Sequence, residues 1–121
     1  MLEFFVEGNP VPKQSFNMGK YGGYPKKGVK EWEELIGWQA KLCHRGTPLQ
    51  GNLQVDMQFY LGHKRRVDLD NLSKSVLDGM NGIVYEDDRQ VVKLYLEKYY
   101  DKERPGVMVT VKELDEPNTT N

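Results

Sequence analysis

The sequence predicts a small α+β domain of order β-α-β-α-β-β, a mixed sheet packed by two helices. Three observations carry the prediction. Leu53, Val55, Met57, Phe59 and Leu61 alternate strictly with Asn52, Gln54, Asp56, Gln58 and Tyr60, the period of a strand with one buried and one wetted face. Stretches with a helical period lie on both sides of that strand. A length of 121 residues suits one domain and leaves no room for a second.

In chain order, Leu2, Phe4 and Val6 alternate with Glu3, Phe5 and Glu7 as a first strand, which Gly8-Asn9-Pro10-Val11-Pro12 ends. Val29, Trp32, Leu35, Ile36, Gln39, Leu42 and Cys43 follow a helical period, stopped by Gly46 and Pro48. The central strand comes next. Asp70 is a good N-cap for a second helix through Leu72, Val76, Leu77 and Met80, with Gly79 and Gly82 closing it. Val92, Leu94 and Leu96 alternate in a third strand, the stretch 101–106 reads as a hairpin loop, and Val107, Val109 and Val111 form the last strand. The domain is expected over residues 1–114, with 115–121 a disordered tail.

Rare residues narrow the chemistry. Cys43 is the lone cysteine, which excludes an internal disulfide and a cysteine-based zinc site. His44 and His63 are too few for a histidine-rich centre, so a metal would be held mainly by oxygen, as magnesium, manganese or calcium is. The N-terminus lacks the basic start of a signal peptide, and no apolar run approaches the roughly 20 residues that span a bilayer. A cytoplasmic protein without membrane association is expected.

The net charge of -1 hides an asymmetry. Residues 1–67 carry ten Lys/Arg against six Asp/Glu, whereas 68–121 carry seven against twelve. Lys13, Lys20, Lys26, Lys27 and Lys30 interleave with Phe16, Tyr21 and Tyr24 and no acid, a pattern that fits phosphate contact and base stacking or a solubilising loop. A second basic run, Lys64-Arg65-Arg66, immediately precedes Asp68-Leu69-Asp70. Further on stands Glu86-Asp87-Asp88.

Converging carboxylates repel unless a cation neutralises them, so Asp68, Asp70 and Asp88 together make a seat for a hard divalent ion. Lys74, one turn past Asp70, is placed to offset charge on a phosphate, or to form an exposed ladder with Asp70 and Asp78. An EF-hand starting at Asp68 fails, because it needs Gly at 73 and Glu at 79 where the chain has Ser73 and Gly79. An aspartyl-phosphate enzyme would place its Asp-x-Asp after an apolar strand rather than after a basic run. Positive charge beside a metal-type carboxylate pair suits a phosphodiester substrate and points to a metal-dependent nuclease.

The stretch from Arg66 to Val91, with Asp68-x-Asp70-Asn71-x-x-Lys74-x-x-x-Asp78 and then Asp87-Asp88-x-Gln90-Val91, resembles the RusA family of Holliday junction resolvases. Gly8-x-Pro10-x-Pro12-Lys13 is similar to the family's N-terminal segment, and length and element order agree over the whole chain. Gln14-Ser15-Phe16 depart from it, standing where members often carry further arginines. The resemblance implies a homodimeric, Mg²⁺-dependent endonuclease, with Mn²⁺ a possible substitute, that cuts four-way DNA junctions by paired symmetric nicks in recombination and repair. It implies Asp68, Asp70 and Asp88 as catalytic metal ligands, Lys74 as the catalytic lysine, and Asn71 and Asp87 as further site residues. Lys13, Lys20, Lys26, Lys27, Lys30, Lys64, Arg65 and Arg66 are the expected DNA contacts, and a phage or prophage origin fits the family. The alternative is a non-catalytic protein that binds branched or single-stranded DNA.

Overall fold

The computed structural model describes residues 1–13 and 28–114, in which β1 (Leu2–Glu7), α1 (Val29–Cys43), β2 (Leu53–Leu61), α2 (Leu69–Met80), β3 (Val91–Tyr100) and β4 (Gly106–Glu113) follow the predicted order. Lys20, Lys26, Lys27 and the expected tail at 115–121 lie outside the described residues. The sheet has strand order β1-β4-β2-β3, with β2 and β3 parallel and both other pairings antiparallel. It is therefore mixed, as expected, because the helical connection through α2 returns β3 alongside β2 in the same direction.

The core forms where inward-facing residues of the strands meet one stripe of each helix. Phe4 and Val6, the five apolar residues of β2, and Val107, Val109 and Val111 are buried against Trp32, Ile36 and Ala40 of α1 and Leu72, Val76 and Met80 of α2. Each of the larger aliphatic and aromatic side chains contributes about 1.5–3 kcal/mol through the apolar surface it removes from water. Close approach sets two glycines. A Cβ on Gly79 would stand 2.9 Å from the Glu33 carbonyl oxygen, so the helices meet there backbone to backbone. At Gly106 it would clash with the Phe5 ring.

Several expectations are corrected. The stretch 101–105 is not a hairpin loop, because β3 and β4 are not neighbours: β2 lies between them. The connection crosses the end of β2, held by the Asp101 N–H donating to the Leu61 carbonyl (2.8 Å) and the Gly8 N–H to that of Pro105 (3.0 Å). β3 does not bury Val92 and Leu94, which are 53% and 38% exposed, since it is an edge strand. On α1, Leu35, Leu42 and Cys43 face solvent, and Val29, Trp32, Ile36, Gly37 and Ala40 make the buried stripe. The N-cap of α2 is Asp68, and Asp70 falls in its first turn.

Candidate active site

α2 begins where the basic run ends. Asp68 is extended (φ -81°, ψ 131°) and its carbonyl accepts the first helical hydrogen bond from Leu72 N–H, but its carboxylate caps nothing. Asp68 and Asp70 are exposed, and neither side chain enters an ion pair among the described residues. The helix N-terminus carries a partial positive charge that offsets part of their repulsion. Two nearby all-oxygen donors without an ion-pair partner among the described residues fit a hard cation.

Beside them opens a cleft of about 470 Å³ lined by Pro12, Lys13, His63, Arg65, Arg66, Val67, Asp68 and Asn71. The structure thus brings together the Pro-x-Pro-Lys segment, the basic run and the start of α2, which are separate in sequence. Backbone bonds fix the juncture: Lys13 N–H donates to the Asn71 carbonyl (2.9 Å) and Ser75 Oγ to that of Val11 (2.7 Å). Asn9 Oδ1 accepts from Gly62 N–H at 2.9 Å, holding the segment against the end of β2. Arg65, Arg66 and Lys64 are exposed, with the Lys64 ammonium over the Tyr100 ring at 4.9 Å.

Two expected roles read differently in three dimensions. Lys13, expected on DNA, donates from Nζ to Asp78 Oδ2 (2.6 Å) and Glu33 Oε2 (3.0 Å). The bond to Asp78 holds its pKa above the ordinary lysine value, against a smaller opposing effect of burial. Lys74 is exposed and makes no ion pair among the described residues, so the ladder with Asp70 and Asp78 is not formed. Lys30 is exposed in the first turn of α1.

The second carboxylate group sits on a built turn. Asp87 caps a short 3₁₀ turn, Asp88–Gln90, and its Oδ1 accepts from Arg89 N–H at 2.9 Å. That backbone bond, with the Arg89 charge, pulls the Asp87 pKa below its ordinary value. Asp88 is pushed the other way, first by burial and then by the charges of Asp87 and Asp78. Gln90, to which the residue types alone assign no role, fastens the turn. Its Oε1 accepts from Glu86 N–H (2.9 Å) and Asp87 N–H (3.2 Å), and its Nε2 donates to the carbonyls of Leu49 (2.9 Å) and Gly51 (3.0 Å). Its one signal in sequence is its place in the Asp-Asp-x-Gln-Val segment.

The expected convergence of Asp68, Asp70 and Asp88 does not occur within one chain. No group of three acidic, histidine or cysteine ligands exists among the described residues. The reason is α2 itself: Asp68 precedes it and Asp88 follows it, and 12 residues of helix part their ends by roughly 17 Å. Lys98 Nζ donates to the Val67 carbonyl (2.6 Å), so the start of α2 adjoins the far end of β3, whereas Asp88 stands just before its near end.

A small mixed-sheet domain that sets a basic cleft beside exposed carboxylates has the charge layout of a protein that acts on nucleic acid. The family model described as endodeoxyribonuclease RusA matches residues 7–112, and the chain belongs to that family of endodeoxyribonucleases. The chain is 25% identical over 119 residues to a crossover junction endodeoxyribonuclease RusA of Aquifex aeolicus (strain VF5), covering 96% of this chain and 94% of that one. It is also 27% identical over 138 residues to the uncharacterized protein YqaN of Bacillus subtilis (strain 168), covering 93% and 96% respectively. No helix among the described residues is long and apolar enough to cross a membrane.

Proposed function

We propose that the chain is a homodimeric, Mg²⁺-dependent endonuclease that resolves four-way DNA junctions by paired, symmetric nicks. The observation that carries this reading is the basic cleft of Arg65 and Arg66 opening onto Asp68 at the start of α2, in a chain of the RusA family. Arg65, Arg66 and Lys64 draw in the phosphodiester backbone. Asp68, Asp70 and Asp88 hold Mg²⁺, or Mn²⁺ in its place, and the bound cation supplies Lewis acidity at the scissile phosphate. Lys74, one turn along α2, offsets negative charge that builds in the transition state. Asn71 lines the cleft, and Asp87 fixes the turn that presents Asp88.

The separation of the acids supports the dimer. β3 is an edge strand of 10 residues that leaves Val92, Leu94, Tyr95, Tyr99 and Tyr100 exposed, a surface suited to pairing with a second copy. Antiparallel pairing about a twofold sets the start of one β3 beside the end of the other. Asp88 then meets Asp68 and Asp70 of the partner subunit, and two equal sites result, as two symmetric nicks require.

The test is a synthetic four-way junction incubated in Mg²⁺, Ca²⁺ or EDTA. Paired nicks in Mg²⁺ alone are expected. Binding without cutting in any metal would instead favour a non-catalytic junction-binding protein, and cleavage of plain duplex at the same rate would replace junction resolution with general nuclease activity.

A further inference from the structure

α1 carries more apolar surface than the core uses. Its solvent side shows Leu35, Trp38 and Leu42 at helical spacing, and Trp38 and Leu42 are 64% and 61% exposed. Trp38 and Leu42 join Ile83, from the turn after α2, around a cleft of about 370 Å³ whose charged members are Lys41 and Arg45, with His44 beside them. Among the described residues no carboxylate lines it. Lys41 Nζ lies over the Trp38 ring at 5.5 Å, and His44 Nε2 is bonded to the Thr47 carbonyl at 2.7 Å.

From this we infer a docking site for a short acidic peptide of another protein, one that carries at least one large apolar side chain. The apolar walls accept the side chain, and Lys41 and Arg45 meet the carboxylates. An exposed apolar patch rimmed by one sign of charge marks a recognition surface. Nucleic acid fits it less well. The cleft lies at the C-terminal ends of both helices, whereas Arg65, Arg66 and Asp68 lie at the start of α2. The adjoining depression on α1 is lined by Glu33, Glu34 and Asp78 as well as Lys30 and Lys41, so the surface running along the helices from one basic region to the other is of mixed charge rather than continuously basic. The site is independent of the nuclease reading and uses none of its residues.

The probe is a short fluorescein-labelled peptide of alternating aspartate and leucine, titrated into the full chain by anisotropy. Binding in the micromolar range is expected, with a blue shift of Trp38 emission. Trp38→Ala and Arg45→Glu should each weaken it about 10-fold, as loss of an anchor at a small interface does. A peptide with alanine for leucine, or lysine for aspartate, should bind at least as poorly. Both substituted residues are exposed, so circular dichroism and junction cleavage should match the parent protein. Absence of binding at millimolar peptide, or equal binding by parent and variants, would overturn the proposal. So would variants that lose affinity for the four-way junction while keeping the peptide, since the cleft would then be a DNA contact.

Discussion

The two carboxylate groups of the motif are built in opposite ways. Asp68 at the N-cap of α2 and Asp70 in its first turn stand exposed, with no ion-pair partner among the described residues. Asp87 and Asp88 ride on a turn in which Gln90 makes four hydrogen bonds and Asp87 accepts from Arg89. The first group is left open, and the second is held in place by its turn; in the proposed dimer that turn would carry Asp88 to the partner subunit's site. Closeness in sequence therefore does not translate into closeness in the fold, because a full helix lies between the groups.

The largest effect should come from breaking each group separately and then mixing the products. Asp70→Asn and Asp88→Asn are each expected to lower cleavage by about a thousandfold or more while junction binding survives. If Asp88 acts on the partner subunit's Asp68 and Asp70, a mixed dimer of the two variants holds one intact site. Co-refolded variants should then regain single nicks in one strand, read on a denaturing gel. Mixtures as inactive as either variant would show that the groups do not complement one another across subunits.

Gln90→Ala removes the fastening of the second group and leaves the first untouched. Loss of a satisfied, partly buried amide with four partners should cost about 2–3 kcal/mol, measured by urea unfolding. Cleavage should fall through kcat with junction affinity unchanged, because Gln90 positions Asp88 and contacts no DNA in the proposed site. An equal loss in the affinity of the junction would assign Gln90 to the binding surface.

Much of this contrast was legible in the sequence, and the part that was not has a physical cause. The alternation of β2 and the helical stripes fixed six elements in order, since one-sided burial imposes those periods. Strand neighbours are a tertiary choice, and nothing in 101–106 distinguishes a hairpin from a crossing over β2. The same limit explains Val92 and Leu94, which alternate correctly but lie on an edge. The residue types marked Asp68, Asp70 and Asp88 as metal ligands, yet the distance between them depends on where α2 runs. Lys13 is the clearest instance. Its setting among lysines predicts a phosphate contact, and only the fold reveals Glu33 and Asp78 around it.

Lys13 ties the cleft of the first group to α1 and α2 and so tests whether that region is held as firmly as the second. Lys13→Met should cost about 1 kcal/mol, since the pairs are partly exposed. The sign with pH follows from the raised pKa of this lysine. Its contribution is fully present below the unfolded value near 10.5 and is lost as pH rises through the folded one. The penalty should therefore be constant from pH 6 to 9 in thermal melts. A penalty that shrank over that interval would contradict the ion-paired state.

The smallest effect separates the two neighbours within the second group. Asp87 has a lowered pKa, so the stability it contributes is present above its unfolded value and is lost as pH falls through the folded one. Asp88 has a raised pKa, because burial and the charges of Asp87 and Asp78 disfavour its ionised form. The folded state then binds the Asp88 proton more tightly than the unfolded chain does, and stability declines as pH rises through that interval. In metal-free buffer, Asp88→Asn should raise Tm by about 1–2 °C at pH 7, and the gain should vanish once pH falls below the unfolded carboxylate value. Asp87→Asn should lower Tm at pH 7 instead. If both variants shifted Tm in the same direction, the two acids would share one environment, and the division between a capping carboxylate and a strained, ligand-ready one would fail.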